Sequence, residues 1–199
     1  MVRPGNFTFT PGRSALVSMN KIGLEDKKQP CAFFSLNGDY YLELVFKGDS
    51  WNEEHAPLFQ ARAGEELILS DQVGSLEYKG PGMFIASGKG ILPILNILKH
   101  LKRADAISGH TLLYVARTQE EVLYERILRH ILGTNCVFVI GSDSSYRLEP
   151  KKIDETLIRQ KSPTLQQEFY IAGPAPFVQH SSEVLAQLNV VTPYIEIVD

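Results

Sequence analysis

Short apolar segments separated by turn-forming residues make up the first part of the chain. In residues 40–47, apolar and polar side chains alternate with a period of two, which is typical of a half-buried β-strand. Shorter apolar segments lie at residues 15–19, 31–36 and 66–70, and Gly, Pro, Asn and Asp separate them. This pattern predicts a small antiparallel β-barrel-like domain over residues 1–79.

From residue 80 onward, apolar strands alternate with amphipathic helices. Five strands are predicted, at residues 83–86, 111–116, 136–140, 168–172 and 194–198. Four helices are predicted between them, at residues 90–101, 119–132, 152–160 and 176–188. Such alternation requires crossover connections, which are almost always right-handed and produce a parallel sheet. The sequence therefore predicts an α/β domain over residues 80–199, built on a five-stranded, doubly wound parallel sheet.

The composition is that of an ordinary soluble globular protein, with 44% hydrophobic and 22% charged residues. A net charge of −3 provides no basic surface for nucleic acid. No apolar run approaches the roughly 20 residues that span a bilayer, and the N-terminal residues lack the apolar core of a signal peptide. The two cysteines, Cys31 and Cys136, lack metal-ligand spacing and are expected to be reduced. We therefore expect a cytoplasmic protein.

Two glycine-containing loops follow predicted strands and precede predicted helices. Their candidate cofactor-binding residues are Gly88, Gly90 and Pro93 in the first loop and Gly173, Pro174 and Phe177 in the second. Glycine lets backbone amides approach a pyrophosphate, and the helix N-terminus behind it offers unpaired N–H groups. Either loop alone is also compatible with an ordinary strand-to-helix turn. Together they fit a dinucleotide site at the carboxyl ends of the strands, and we expect valine at Gly90 or Gly173 to weaken binding without unfolding the protein.

Four segments in this part of the chain carry recognisable motifs. They are FIASGKGILPILNIL, LLYVARTQEEVLYERIL, FYIAGPAPF and YIEIVD. In that order they resemble the first nucleotide loop, the strand ending in Gly-x-Arg, the Gly-Pro-Pro loop and the final strand of the ferredoxin–NADP reductase family. Weaker matches, TFTPGRSALVSM and ARAGEELIL, extend the resemblance into that family's flavin domain. The resemblance implies an oxidoreductase that transfers electrons between NAD(P)H and a flavin or flavin-linked acceptor.

In the terms of that family, three further positions would contact the nucleotide. Arg117 would face the pyrophosphate or the adenosine ribose, unless it is a solvated arginine at the end of a strand. Ser142 falls where the family places a serine beside the adenosine 2′-phosphate, and Asp143 replaces the arginine that often follows. A carboxylate repels a 2′-phosphate and accepts a hydrogen bond from a 2′-hydroxyl. The resemblance therefore predicts NAD(P)H as cofactor with NADH slightly preferred, although Asp143 is also compatible with a solvated turn.

The family's flavin signature, Arg-x-Tyr-Ser, is not preserved in this chain. Gln29, Cys31 and Ala32 occupy its three functional positions, and only Ser35 matches a later serine, which we assign to cofactor binding. The counterpart of the phosphate-binding loop contains two glutamates, which would repel phosphate. The barrel is also short, so a redox partner protein or a second copy of the chain would complete it. We therefore expect no tightly bound FAD in the isolated chain.

Two other interpretations of function remain open. A catalytically degenerate, reductase-like protein would act as a binding or regulatory module or as a subunit of a larger redox complex. The other interpretation is nucleotide binding without redox chemistry. No catalytic residue is assigned, because Glu196, the only C-terminal carboxylate near the expected nicotinamide pocket, suits a structural role. The five histidines are scattered and indicate no metal site.

Overall fold

Two β-sheets organise the protein. The computed structural model describes residues 1–46, 56–141, 153–162, 164–190 and 193–198. Within these ranges, an antiparallel sheet of four strands comes first in the chain, and a parallel sheet of five strands follows it. The fold class expected from the sequence is therefore confirmed. No helix within these ranges is long and apolar enough to cross a membrane.

The first sheet has the strand order β3-β2-β1-β4. Its strands are β1 (Ser14–Met19), β2 (Gln29–Phe33), β3 (Leu44–Phe46) and β4 (Leu67–Val73), and a short helix, α1 (Ala56–Phe59), precedes β4. The buried side chains that pack on this sheet are aromatic and aliphatic. The rings of Phe9 and Phe33 stack there with their centroids 4.0 Å apart. This cluster fixes the loop before β1 against β2.

The predicted strand over residues 40–47 is wrong in its extent, because β3 occupies only the last described part of that range. Tyr41 instead forms an isolated bridge with Val2. Leu42 and Met1 exchange backbone hydrogen bonds of 2.9 and 3.1 Å. The first half of the predicted strand therefore pairs with the N-terminal residues and is not part of the ladder between β2 and β3.

The second sheet has the strand order β7-β6-β5-β8-β9, and all its strands are parallel. The strands are β5 (Gly82–Ser87), β6 (Thr111–Ala116), β7 (Cys136–Ile140), β8 (Glu168–Gly173) and β9 (Tyr194–Ile197). The helices are α2 (Ile91–Arg103), α3 (Glu125–Leu132), α4 (Glu155–Lys161) and α5 (Ala175–Gln187). Helices α2 and α3 pack on one face of the sheet, and α4 and α5 pack on the other. The sheet is therefore doubly wound, as predicted.

Two helices begin later than the sequence pattern predicts. Residues 119–121 form a separate 3-10 turn, and α3 begins after Tyr124, whose φ of +58° interrupts the helix. The ring of Tyr124 packs against Phe34 of the first sheet, so a tertiary contact overrides the local helical pattern. Helix α4 begins after Asp154, whose carboxylate accepts a 2.7 Å hydrogen bond from the N–H of Leu157.

Helix α2 lies between the two sheets and joins them. Every residue in 91–98 is buried, so the first part of this helix is enclosed on all sides, and its exposed residues, Lys102 and Arg103, lie in the last turn. Asn96 provides its polar contacts with the first sheet. The side-chain amide donates to the carbonyls of Phe33 at 2.9 Å and Ser35 at 3.0 Å, and it accepts a 3.4 Å hydrogen bond from the N–H of Gly12. One buried side chain thus satisfies three backbone groups and fixes α2 against the first sheet.

Candidate functional site

The order of the parallel strands reverses between β5 and β8. From β5 the chain runs outward through β6 to β7, and it then returns to β8 on the other side of β5. Ala86 pairs with Ala172, so the loops that follow these two strands lie side by side at the carboxyl edge of the sheet. Ligands bind at such reversals in open parallel sheets. The structure thus brings the two predicted glycine loops together.

The two loops touch through their backbones, and two glycines make this contact possible. A Cβ atom at Gly90 would lie 2.2 Å from the carbonyl oxygen of Ala172, a distance that no side chain can adopt. A Cβ atom at Gly173 would lie 2.8 Å from the ring of Phe177 and 3.2 Å from the carbonyl oxygen of Ser87. Gly90 is therefore required for packing of the first loop on β8. Valine at Gly90 would disturb the fold itself, which corrects the expectation that it would not.

Gly88 differs from the other two loop glycines, because it borders open space. Its φ is +53°, and a Cβ atom there would meet no atom within 4 Å. It faces a cavity of about 280 Å³, which we call the loop cavity. The other wall of the loop cavity is formed by the end of β6 and the turn after it, including Arg117, Glu121 and Leu123. Gly88 is thus the loop glycine most suited to contact a ligand.

The helices behind both loops begin without a side-chain cap, in contrast to α4. Pro174 is the N-cap residue of α5, and its ring provides no hydrogen-bond acceptor for the first turn. Pro93 lies in the first turn of α2 and is buried. Phe177 is only 2% exposed, and its ring packs against Gly173. The first-turn N–H groups of these helices form a partly positive end, which attracts an anion such as a pyrophosphate.

Arg117 lies directly after β6 and is held by Glu121. One guanidinium nitrogen lies 2.6 Å from Oε1 of the glutamate, and Nε donates to Oε2 at 3.1 Å. The backbone N–H of Arg117 donates to the same Oε2 at 3.2 Å. Hydrogen bonding from the guanidinium lowers the pKa of Glu121, so the pair is ionised at neutral pH. The predicted ligand residue Arg117 therefore reaches the loop cavity as half of an ion pair.

Tyr114 of β6 was not predicted from the sequence and connects the two walls of the loop cavity. Its hydroxyl donates to the carbonyl of Gly88 at 3.0 Å and accepts a hydrogen bond from the N–H of Leu123 at 3.3 Å. Its side chain is fully buried, and burial raises its pKa to about 12. A signal was present in the sequence: a single tyrosine lies among aliphatic residues in LLYVA, and a buried phenol needs a hydrogen-bond partner.

The family of the chain is shown by a family model whose match includes the two glycine loops. Residues 84–183, about half of the chain, match the family model described as "oxidoreductase NAD-binding domain", and they include both glycine loops. This chain belongs to the oxidoreductase NAD-binding domain family. The match therefore includes the crevice between the loops after β5 and β8.

Two relatives of the chain are reductase components of propane 2-monooxygenase. The chain is 27% identical over 199 residues to the one from Rhodococcus jostii and 24% identical over 192 residues to the one from Mycolicibacterium smegmatis. The alignments cover 92% and 89% of this chain, but only 53% and 55% of the relatives. The chain thus spans about half the length of these two proteins.

Among solved structures, the chain is similar to a ferredoxin NADP⁺ reductase from Neisseria gonorrhoeae with bound FAD and NADP. The two share a TM-score of 0.75 and 17% sequence identity, and the match covers 98% of this chain and 89% of that one. At this level of identity, the similarity shows the fold alone. The fold is that of the ferredoxin–NADP reductases, as the motifs predict.

The strand that aligns with the flavin signature does not offer a flavin surface. Cys31 is 0% exposed and packs in the core of the first sheet. Ala32 is 2% exposed and packs in the core between the two sheets. Gln29 is partly exposed but carries no positive charge. Ser35 is buried, and its hydroxyl accepts a 3.1 Å hydrogen bond from the N–H of Glu43. These residues do not fit FAD, because they provide neither a cation for its pyrophosphate nor an aromatic face for its ring.

Ser142 and Asp143, assigned to the adenosine ribose, lie outside the described residues. Glu196 of β9 is 6% exposed, and its carboxylate accepts hydrogen bonds from the hydroxyl of Ser75 at 2.7 Å and from the N–H of Leu76 at 3.2 Å. Glu196 therefore links the parallel sheet to the segment between the two sheets, which is a structural role.

Proposed function

We propose that the chain binds NAD(P)H at the two glycine loops and transfers electrons between this nucleotide and a flavin or flavin-linked acceptor. The observation that carries the proposal is the backbone contact between the loops. Gly90 packs against Ala172 at the point where the strand order reverses, so two uncapped helix ends flank one crevice. This arrangement suits the two linked phosphates of a dinucleotide.

The proposed site has a phosphate end and a nicotinamide end. The loop cavity beside Gly88 and Arg117 would receive the pyrophosphate and the adenosine ribose. The nicotinamide would lie beside Gly173 and Pro174. Ile197 of β9 pairs with Gly173 and is 55% exposed, so it provides an apolar surface at that end. An exposed apolar side chain next to the site favours a planar ring that must be shielded from water during electron transfer.

We propose that the electron acceptor is held by a redox partner, by a second copy of the chain or by a further part of a longer protein. The poor fit of the flavin strand supports this, as does the first sheet. Among the described residues, β3 and β4 are its edge strands. An apolar groove of about 520 Å³, lined by residues that include Phe46 and Leu67, lies between them. Edge strands are usually covered, so a second chain that completed the barrel would occupy this groove.

We also propose that the protein acts in the cytoplasm. Cys31 and Cys136 are buried thiols, and burial raises the pKa of Cys136 to about 11. A thiol with this pKa is protonated and unreactive at neutral pH. Free buried cysteines are typical of proteins from reducing compartments.

The proposed function is tested by nucleotide binding and by electron transfer to an added acceptor. Calorimetric titration with NADH should give a single site per chain. Addition of free FAD or FMN should then allow the protein to oxidise NADH with ferricyanide as the final acceptor. A protein that does not bind NADH or NADPH would contradict the proposal.

We predict that NADH binds more tightly than NADPH. Asp143 would repel a 2′-phosphate, and Asp143→Arg should narrow or reverse the preference. Dissociation constants of both nucleotides for the parent and the variant are the measurement. Equal affinities of the parent for the two nucleotides would contradict this prediction.

A second prediction concerns the ion pair beside the loop cavity. Glu121→Gln keeps the size of the side chain and removes the negative charge that Glu121 places beside Arg117. We expect the ratio of NADPH to NADH affinity to rise about threefold to tenfold, because removal of a carboxylate beside the guanidinium favours the extra phosphate. Glu120→Gln, at the neighbouring glutamate, is the matched control and should leave the ratio unchanged. An unchanged ratio in Glu121→Gln would show that Arg117 does not face the adenosine end.

The second candidate function is that of a nucleotide-binding regulatory module or a non-catalytic subunit of a redox complex. The observation that favours it is the burial of Cys31 and Ala32, which removes the surface that a flavin ring requires. The two functions differ in one measurement. A module of this kind would bind NADH but would not accelerate NADH oxidation in the presence of free flavin.

A further inference from the structure

Tyr114 joins the two walls of the loop cavity through a single oxygen atom. The hydroxyl donates to the carbonyl of Gly88, in the first glycine loop, at 3.0 Å. It accepts a hydrogen bond from the N–H of Leu123, in the opposite wall, at 3.3 Å. Because burial raises the pKa of this phenol to about 12, the hydroxyl is protonated at physiological pH and remains a donor.

The hydrogen bond to Gly88 sets the direction of the peptide unit that follows it. In a planar trans peptide, the carbonyl of Gly88 and the N–H of Lys89 point in opposite directions. The carbonyl points down to Tyr114 and also accepts a hydrogen bond from the N–H of Ile91. The N–H of Lys89 therefore points away from the buried tyrosine. Gly88 and Lys89 both line the loop cavity. Gly88 can adopt this orientation because its φ is +53°.

We propose that Tyr114 is a positioning residue for the nucleotide, which holds the Gly88–Lys89 peptide with its N–H directed at the pyrophosphate. This inference rests on the proposed function and extends it to a residue below the site. Tyr114 does not touch the ligand. It acts through Gly88, and the N–H of Leu123 holds its hydroxyl in place.

The test is the variant Tyr114→Phe, which retains the buried ring and removes only the hydroxyl. We expect its affinity for NADH and for ADP to fall by about tenfold, the change that corresponds to loss of one well-placed hydrogen bond. Adenosine, which lacks the pyrophosphate, should bind to the parent and the variant equally in ligand-observed NMR. Loss of adenosine binding by the same factor as NADH binding would overturn the proposal, because it would indicate a general structural effect.

Tyr170→Phe is the matched control. Tyr170 lies on the neighbouring strand β8 and is also fully buried. Its hydroxyl bonds to the backbone of Lys79 and Gly80, at the opposite edge of the parallel sheet from the glycine loops. This variant should lose stability in thermal unfolding without losing NADH affinity. Equal loss of NADH affinity in both variants would overturn the proposal.

Two other outcomes are decisive. If the parent binds NADH and Tyr114→Phe binds it equally well, the proposal fails while the proposed function stands. If the parent does not bind NADH, the proposed function fails and this inference fails with it.

If Tyr114→Phe does not fold, amide hydrogen exchange of the parent protein is measured in place of the binding of the variant. Saturation with NADH must then slow exchange at the N–H of Lys89, and unchanged exchange there would overturn the proposal.

Discussion

Replacing Gly90 with alanine should destabilise the protein more than any other single change in the glycine loops. The added Cβ atom would lie 2.2 Å from the carbonyl oxygen and 2.3 Å from the carbonyl carbon of Ala172. Both are backbone atoms in a strand that pairs with β5 on one side and with β9 on the other, so they cannot move aside. Overpacking of this kind costs roughly 3 kcal/mol or more. In a chain of this length, that corresponds to a fall in melting temperature of roughly 6–12 °C.

Gly88→Ala provides the matched control within the same loop. Its Cβ atom would meet no atom within 4 Å, and the only cost is the positive φ of +53°, about 1 kcal/mol. Its melting temperature should therefore fall by only about 2–4 °C. Its affinity for NADH should nevertheless fall at least tenfold, because the new methyl group enters the space that the pyrophosphate would occupy. Thermal unfolding by circular dichroism and calorimetry with NADH measure the two effects. Equal stability of the two variants would contradict the packing role of Gly90.

The parallel half of the fold could be predicted from sequence because each of its signals is local. An apolar run of five or six residues, a glycine and then a helical pattern recur in order, and right-handed crossovers restrict how such units assemble. The positions of Gly88, Gly90 and Gly173 at or just after the ends of strands placed them at the carboxyl edge of the sheet. What the sequence did not show is how near the loops come. The close approach of Gly90 to Ala172 depends on the strand order, which joins residues about 80 positions apart in sequence.

The incorrect element boundaries share one physical cause, which is a distant partner. Residues 119–124 have a helical pattern, but Leu123 donates to the hydroxyl of Tyr114 and Tyr124 packs against Phe34. Residues 41 and 42 have a strand pattern, but they pair with the first two residues of the chain. In both places a tertiary contact replaced the partner that the local pattern implies. The role of Tyr114 likewise depends on tertiary structure, because its hydroxyl bonds to two loops that only the fold brings together.

We expect the isolated chain to purify without bound FAD. FAD needs a cation near its pyrophosphate and a flat surface for its ring, and Gln29, Cys31 and Ala32 provide neither. Burial lowers the expected affinity for FAD further, because Cys31 and Ala32 are 0% and 2% exposed and cannot contact a flavin ring. Loss of one charge-assisted hydrogen bond costs about 1.5–3 kcal/mol, so loss of two or three such contacts lowers affinity by several powers of ten. Aromatic packing lost from the ring adds about 1 kcal/mol.

The absorbance spectrum of the purified chain between roughly 350 and 500 nm, with a titration by added FAD, measures this deficit. Gln29→Arg should increase the affinity for FAD by about tenfold, because Gln29 is the one partly exposed position of the three and a cation there can reach solvent. Gln29→Glu is the control of opposite charge and should not increase it. A yellow preparation with one FAD per chain would show that the isolated chain forms a flavin site by contacts other than those of the signature. Colourless protein that binds NADH, and that acquires flavin only when a partner chain is added, would place the acceptor on that partner.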